Sequence, residues 1–239
     1  AHFLTEVRYK GTKVVSVSPD YAESTTSSDA WLNVKAGTDA ALAMAMGHVI
    51  LKEYYIDKET PYFKEYAKEF TDMPFLVRVE DINGAVQPGR FLNAKDLGRQ
   101  EEGSDFQMVL IDEITNEIVI PNGTMGERHT NPQKWNLRLE NRDTGAKIDP
   151  RLSVFDQRED VTIVKLPYFG DEEHEGVIER AIPTITVQTA DGPVKVTTVY
   201  DLILANYGID RGIGGEVAKA YTDDTPYTPT WQEKITGVK

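Results

Sequence analysis

Two short stretches carry the side chains best placed to do chemistry. Ser18-Pro19-Asp20-Tyr21 ends the run "KVVSVS" (13–18) and opens a loop, whereas Gly37-Thr38-Asp39 follows "WLNVK" (31–35) and opens a helix. Both runs are short and rich in β-branched residues, which predicts strands. Both stretches therefore fall at the carboxyl ends of strands, the edge where open α/β sheets bind ligands. A carboxylate there accepts hydrogen bonds from a ribose or from a base amino group. Gly37 permits close backbone approach, Thr38 can cap the helix, and Asp39 in the first turn is favoured by the helix dipole. An Asp in that place repels phosphate but suits the N–H and amino edge of guanine. The chemistry implied is recognition of a base and its ribose, with phosphates held elsewhere. Ser-Pro-Asp is also an ordinary turn and Gly-Thr-Asp an ordinary helix start, so the residues alone leave both readings open.

The elements that must hold these turns follow from the apolar pattern. Phe3, Leu4 and Val7 predict a helix stopped by Gly11. "KVVSVS" is expected to be a buried strand, "PDYAESTTSSDA" (19–30) a loop, and the helix opened by Asp39 to run to about Tyr55. A further helix is expected over "KETPYFKEYAKEF" (58–70). From 80 to 198 the character changes to hairpin signals ("INGAV", "VIPNGTM", "RDTGAK", "TADGPV") between strand-like runs. Helices return at "VYDLILANYG" (199–208) and "TPTWQEKITG" (228–237), the latter with Thr228 as cap, Pro229 at the first position and Gly237 as stop. The fold class expected is α/β, three-layered around a mainly parallel sheet, with a β-rich, loop-rich insertion. Its parts are 1–79, an α/β region carrying the base site; 80–198, the insertion; and 199–239, a helical return.

Composition narrows the classes. The 239 residues carry a formal charge of −13, which argues against nucleic acid as a partner. No apolar run is long enough to span a bilayer, and no signal peptide is recognisable. With no cysteine, thiolate nucleophiles and iron–sulfur ligation cannot come from this chain. His2, His48, His129 and His174 are too scattered to suggest a metal site. Neither G-x-G-x-x-G nor the P-loop pattern opens a helix. "NGTMGERHTNPQKWNLRLENR" (122–142), with Arg128, His129, Lys134, Trp135, Arg138 and Arg142, could line an anion path but reads more simply as a solvated loop. "GDEEHEG" (170–176) reads as an acidic loop. No catalytic residue can be named.

The segments "TEVRYKGTKVVSVSPDYAES" (5–24), "WLNVKAGTDAALAMAMGHVI" (31–50), "FTDMPFLV" (70–77), "VTTVYDLILANYGIDRG" (196–212) and "YTPTWQEKITGV" (227–238) carry a resemblance. They resemble the alpha, molybdenum-bearing subunits of respiratory nitrate reductases, within the molybdopterin oxidoreductases of the dimethyl sulfoxide reductase type. The likeness runs the length of the chain, strongest at both ends and weakest through 80–165.

That resemblance implies a bis-molybdopterin guanine dinucleotide cofactor with molybdenum. The positions matching the family's guanosine-end site are Ser18, Pro19, Asp20, Tyr21, Gly37, Thr38 and Asp39, and neither Asp20 nor Asp39 matches the molybdenum ligand. Small residues of the helix (Ala40, Ala41, Ala43, Ala45, Gly47) would pack closely under the nucleotide. The family's Cys/His cluster for an iron–sulfur centre and its Asp ligand lie upstream of the matched region, and the second pterin site draws on later sequence. The chain is thus expected to be an internal segment, inactive alone. The whole enzyme would reduce nitrate to nitrite with electrons from quinol, through an iron–sulfur beta subunit and a membrane cytochrome b subunit, on the cytoplasmic face. The rival readings are a stand-alone guanine-nucleotide-binding module and a subunit-interaction domain built on 80–198.

Overall fold

The computed structural model describes residues 2–124, 138–168 and 176–239. The chain forms two compact units, one comprising residues up to Leu51 with Ala218–Lys239, the other Lys52–Val217.

In the first unit, α1 (His2–Tyr9) precedes β1 (Val15–Val17), a short α2 (Glu23–Thr26), β2 (Ala30–Leu32) and α3 (Asp39–Ile50). β1 and β2 pair in parallel, with Val15 opposite Ala30, Ser16 opposite Trp31 and Val17 opposite Leu32. A parallel pair needs a crossover rather than a tight turn, and residues 18–29 supply it. Asp29 anchors this arrangement. Its Oδ1 accepts from Arg8 Nε (3.0 Å) and Nη2 (2.8 Å), and its Oδ2 from the Val14 amide (2.8 Å). The Val14 amide, with Arg8, holds the Asp29 carboxyl below the usual carboxylate range.

β1 is not the buried strand its composition suggests, since Val15 and Val17 are 55% and 46% exposed. β-branching favours the extended backbone, but burial needs a covering layer, and among the described residues none lies over those valines. α1 likewise buries none of its residues.

The carboxyl-terminal helix (Pro229–Thr236) begins and ends as its residues dictate. Thr228 Oγ1 accepts from the Trp231 amide at 3.2 Å, Pro229 opens the first turn, and Gly237 (φ +78°) takes the left-handed stop. It packs against α3, whose buried residues are Ala41, Leu42, Ala45 and His48. Val34, Leu42 and Val238 form the small core, with Leu32 against it.

Residues Leu51–Asp57 follow as π-helix, so the α-helix stops short of the Tyr55 that the pattern suggests; the second unit begins at Lys52. α4 (Pro61–Phe70) follows. β3 (Leu76–Ile82) and β4 (Ala85–Phe91) form a hairpin whose Asn83 and Gly84 both have positive φ, the geometry Asn-Gly favours. Two short ladders come next, β5 (Leu110–Ile111) with β6 (Ile118–Val119) and β7 (Pro121–Asn122) with β8 (Arg138–Asn141). β9 (Asp160–Pro167), β10 (Val177–Thr189) and β11 (Gly192–Thr198) complete a five-stranded sheet in the order β4-β3-β11-β10-β9. Every pairing in it is antiparallel, and the sheet curls so that β4 and β9 approach each other. Its core comprises Leu76, Leu92, Val109, Ile111, Val154, Val187 and Val196 among others. α5 (Val199–Asn206) lies on β10 and β11.

The fold is therefore α/β with mixed pairing, and among the described residues the only parallel pair is β1 with β2. A mainly parallel sheet needs successive crossovers, and one such crossover is formed here. Among the described residues no helix is long and apolar enough to cross a membrane.

Candidate functional site

The parallel register places both candidate turns at one edge, because Val17 and Leu32 are opposite each other and each strand ends there. The first turn is held by its own main chain. The Ser18 amide continues the ladder to Leu32 O at 3.2 Å. Ser18 Oγ donates to Asp20 O (2.8 Å) and accepts from the Asp20 amide (3.2 Å). Asp20 O also accepts from the Ala22 amide at 3.0 Å. From β2, Trp31 Nε1 donates to Ser18 O at 2.8 Å, and the Tyr21 ring stands edge-on to the indole with centroids 5.2 Å apart.

The second turn differs from the sequence expectation in one detail. Thr38 (φ −114°, ψ 13°) is not extended, as a capping residue must be, and makes no side-chain cap. Its hydroxyl instead donates back to Lys35 O at 2.7 Å. α3 thus begins without a side-chain cap on its first amides. Gly37 has φ +81°, a conformation that favours glycine, and a Cβ built there would meet nothing within 4 Å.

Pro19, Asp20, Tyr21, Gly37 and Asp39 are exposed. Neither the Asp20 nor the Asp39 carboxylate has a hydrogen-bond or ion-pair partner among the described residues. Two free acceptors, open space beside a glycine backbone and uncapped amides suit a hydrogen-bond-donating base and ribose hydroxyls. The helix residues divide between two settings. Ala41 and Ala45 are buried in the unit containing the carboxyl-terminal helix, whereas Ala40 and Ala43 are exposed.

A different constellation, absent from the sequence-based expectations, lies wholly in the second unit. A cleft of about 460 Å³ is lined by Tyr55, Tyr200, Arg211, Ser153, Phe155 and Arg151, among others. Beneath it Asp201, whose side chain is 0% exposed, accepts from Ser153 Oγ (2.6 Å), the Val154 amide (2.9 Å), Thr198 Oγ1 (2.9 Å) and Arg211 Nη1. Arg211 Nη2 also donates to Ser153 Oγ at 2.8 Å, and its guanidinium lies 4.1 Å from the Phe155 ring centre. Burial pushes the Tyr200 phenol up, with Arg211 acting against that shift. Ser153 lies 48 residues from Asp201 and Arg211 ten residues beyond it, and no local spacing rule marks the three as a set. The Thr198–Asp201 cap is the one local signal, since Thr198 Oγ1 accepts from the Asp201 amide at 3.1 Å.

Of the anion path considered for 122–142, Arg128, His129, Lys134 and Trp135 lie outside the described residues. Arg138 is exposed on β8, and Arg142 Nη1 is 3.5 Å from Glu101 Oε1. Of the acidic loop 170–176, all but Gly176 lies outside them. Among the described residues no group of three or more His, Cys, Asp or Glu could hold a metal ion.

Comparison with known proteins places this chain in a family. Residues 1–204 match the molybdopterin oxidoreductase family. The nitrate reductase alpha chain of Bacillus subtilis (strain 168) is 50% identical over 239 residues, covering 100% of this chain and 19% of that protein. The respiratory nitrate reductase 1 alpha chain of Escherichia coli (strain K12) is 45% identical over 251 aligned residues, covering 100% of this chain and 20% of that one. The chlorate reductase subunit alpha of Ideonella dechloratans is 36% identical over 238 residues, 100% of this chain and 18% of that protein. The chain thus spans about a fifth of the length of the curated relatives it matches. The match to the family extends over most of the chain, including both turns at the edge of the β1–β2 pair, and the chain belongs to the molybdopterin oxidoreductases.

Proposed function

We propose that this chain is an internal segment of the catalytic subunit of a molybdenum-dependent respiratory nitrate reductase, and that its first unit forms part of the guanosine-end site for one pterin dinucleotide. The observation that carries the site is the pair of unpartnered carboxylates, Asp20 and Asp39, on two turns at one edge of the parallel β1–β2 pair. Nitrate is preferred to chlorate as the substrate because identity is 45–50% to the nitrate reductase chains and 36% to the chlorate reductase chain.

When bound, the bis-molybdopterin guanine dinucleotide with its molybdenum supplies the two-electron chemistry that removes oxygen from nitrate and leaves nitrite. The residues of this chain bind and orient. Asp39 accepts from the N–H and amino edge of guanine, and Asp20 from ribose or an exocyclic amine. Gly37 lets the ligand approach the backbone, while Ser18, Pro19, Tyr21 and Thr38 shape the two turns. The wider reading places β1 and β2 in a three-layer parallel sheet completed by other parts of the polypeptide, with 80–198 as an insertion between 1–79 and 199–239. An iron–sulfur cluster would be ligated elsewhere, since this chain has no cysteine. Electrons would arrive from quinol through an iron–sulfur beta subunit and a membrane cytochrome b subunit at the cytoplasmic face.

The test is Asp39→Asn in the full-length subunit with its partners, scored by guanosine monophosphate released on acid hydrolysis per polypeptide. A lower yield is expected, because the amide turns a donor toward the donors of guanine. An unchanged yield removes Asp39 from the site. The isolated chain is expected to hold no molybdenum and to show no viologen-linked nitrate reduction, and either activity would overturn its reading as a partial site.

A further inference from the structure

We infer that Trp31 is a positioning residue for the nucleotide, acting through the turn that carries Asp20. The inference rests on the guanosine-end reading proposed above. Trp31 belongs to neither turn, yet it touches both ends of the first one. Its indole N–H donates to Ser18 O at 2.8 Å, and its ring meets the edge of Tyr21 at a centroid distance of 5.2 Å and an interplanar angle of 81°. Between these contacts the main chain of Asp20 is engaged, its amide by Ser18 Oγ and its carbonyl by Ser18 Oγ and the Ala22 amide. The carboxylate has no partner among the described residues. The turn thus leaves one function unspent, the side chain of Asp20, and its placement depends on the peptide plane that Trp31 holds.

Trp31 is opposite Ser16 in the parallel register, so the indole reaches across from the neighbouring strand to a carbonyl just beyond it. A carbonyl at the end of a strand has two lone pairs and no ladder partner on one side. An indole N–H, which can only donate, satisfies it without competing for the acceptors that the ligand needs. A hydroxyl or amide in the same place would bring an acceptor of its own. The donor-only character of indole therefore suits a clamp beside a site that recognises donors.

The test uses the full-length subunit with its partners. Trp31 is replaced by benzothienylalanine, which keeps the bicyclic shape but has sulfur in place of N–H, and separately by phenylalanine (Trp31→Phe). Asp20→Asn serves as the control on the nucleotide reading. Guanosine monophosphate released per polypeptide, melting temperature and amide exchange at residues 20–22 are measured for each. Both Trp31 replacements are expected to lose guanosine content at an unchanged melting temperature. Exchange in the turn should accelerate about five-fold, the factor for one hydrogen bond of ordinary net strength. Asp20→Asn should lose guanosine content without faster exchange. If benzothienylalanine keeps the wild-type content while Asp20→Asn loses it, the nucleotide reading stands and the clamp is overturned. If both Trp31 replacements lose content only in step with melting temperature, the role is structural and the inference is again overturned. If Asp20→Asn keeps full content, the involvement of Asp20 in the guanosine site fails, and the clamp fails with it.

Discussion

Asp201→Ala provides a severe test of the buried network in the second unit. The carboxylate is 0% exposed and Arg211 11%, so solvent screens their pairing little. Truncation strips Arg211 of its anion and leaves Ser153 Oγ, the Val154 amide and Thr198 Oγ1 without their acceptor. Breaking a buried pair from one side costs about 3–5 kcal/mol. Arg211→Met should cost less, about 1.5–3 kcal/mol, because Asp201 keeps three donors and loses one charge-assisted bond. The double variant should cost less than the two singles together, since no charge is then left buried alone. Native-state hydrogen exchange at Leu204 and Ala205, buried residues of α5, reports this locally. At about 1.4 kcal/mol per decade, Asp201→Ala should accelerate their exchange by roughly two to three and a half orders of magnitude. Less than about tenfold, or strict additivity in the double variant, would refute the argument.

Three further outcomes can be checked. Burial pushes the Asp96 carboxyl up, but hydrogen bonds from Arg90 and the Asn93 amide, with the charge of Arg78, leave it below the usual range. A depressed folded-state value means that its stabilisation is present above the unfolded value of about 3.9 and is lost as pH falls through the folded one. Acid titration of stability should therefore show a loss below about pH 4 that is smaller in Asp96→Asn. Gly215→Ala should destabilise more than Gly37→Ala by thermal melting. Both have positive φ, but only at Gly215 would a Cβ come within 2.8 Å of the Ala181 nitrogen. Gly37→Ala should cost about 1–2 kcal/mol from backbone strain alone. Thr228→Ala should cost about 1 kcal/mol by removing the cap on the Trp231 amide, measured in the same way.

Features written in neighbouring residues were legible before the structure. Thr228, Pro229 and Gly237 mark the last helix, and Asn83-Gly84 marks the β3–β4 hairpin, because caps and turns depend on local backbone preference. Burial of β1 was not legible, since alternation and β-branching specify an extended strand and not what covers it. Thr38 does not cap α3, because residue type suggests the hydroxyl but not the ψ that aims it. The edge shared by Asp20 and Asp39 could be sketched from two strand ends, yet only the β1–β2 register brings them to one side. The Ser153–Asp201–Arg211 network and the reach of Trp31 to Ser18 O depend on tertiary approach, and no spacing rule reveals them.

The parallel register has a consequence for how this region can change over time. Side chains on β1 face solvent at Val15 and Val17, so replacing them alters little that the two turns depend upon. The separation of the turns depends instead on the count of residues along two short strands. One residue gained or lost in either strand would shift its phase and invert the faces of the side chains beyond it. Substitutions at Val15 and Val17 should accumulate freely, while substitutions at Trp31 and single-residue insertions and deletions in either strand should be rejected. The spacing of the two turns is inherited as a length of strand, over and above the identities of the residues that line them.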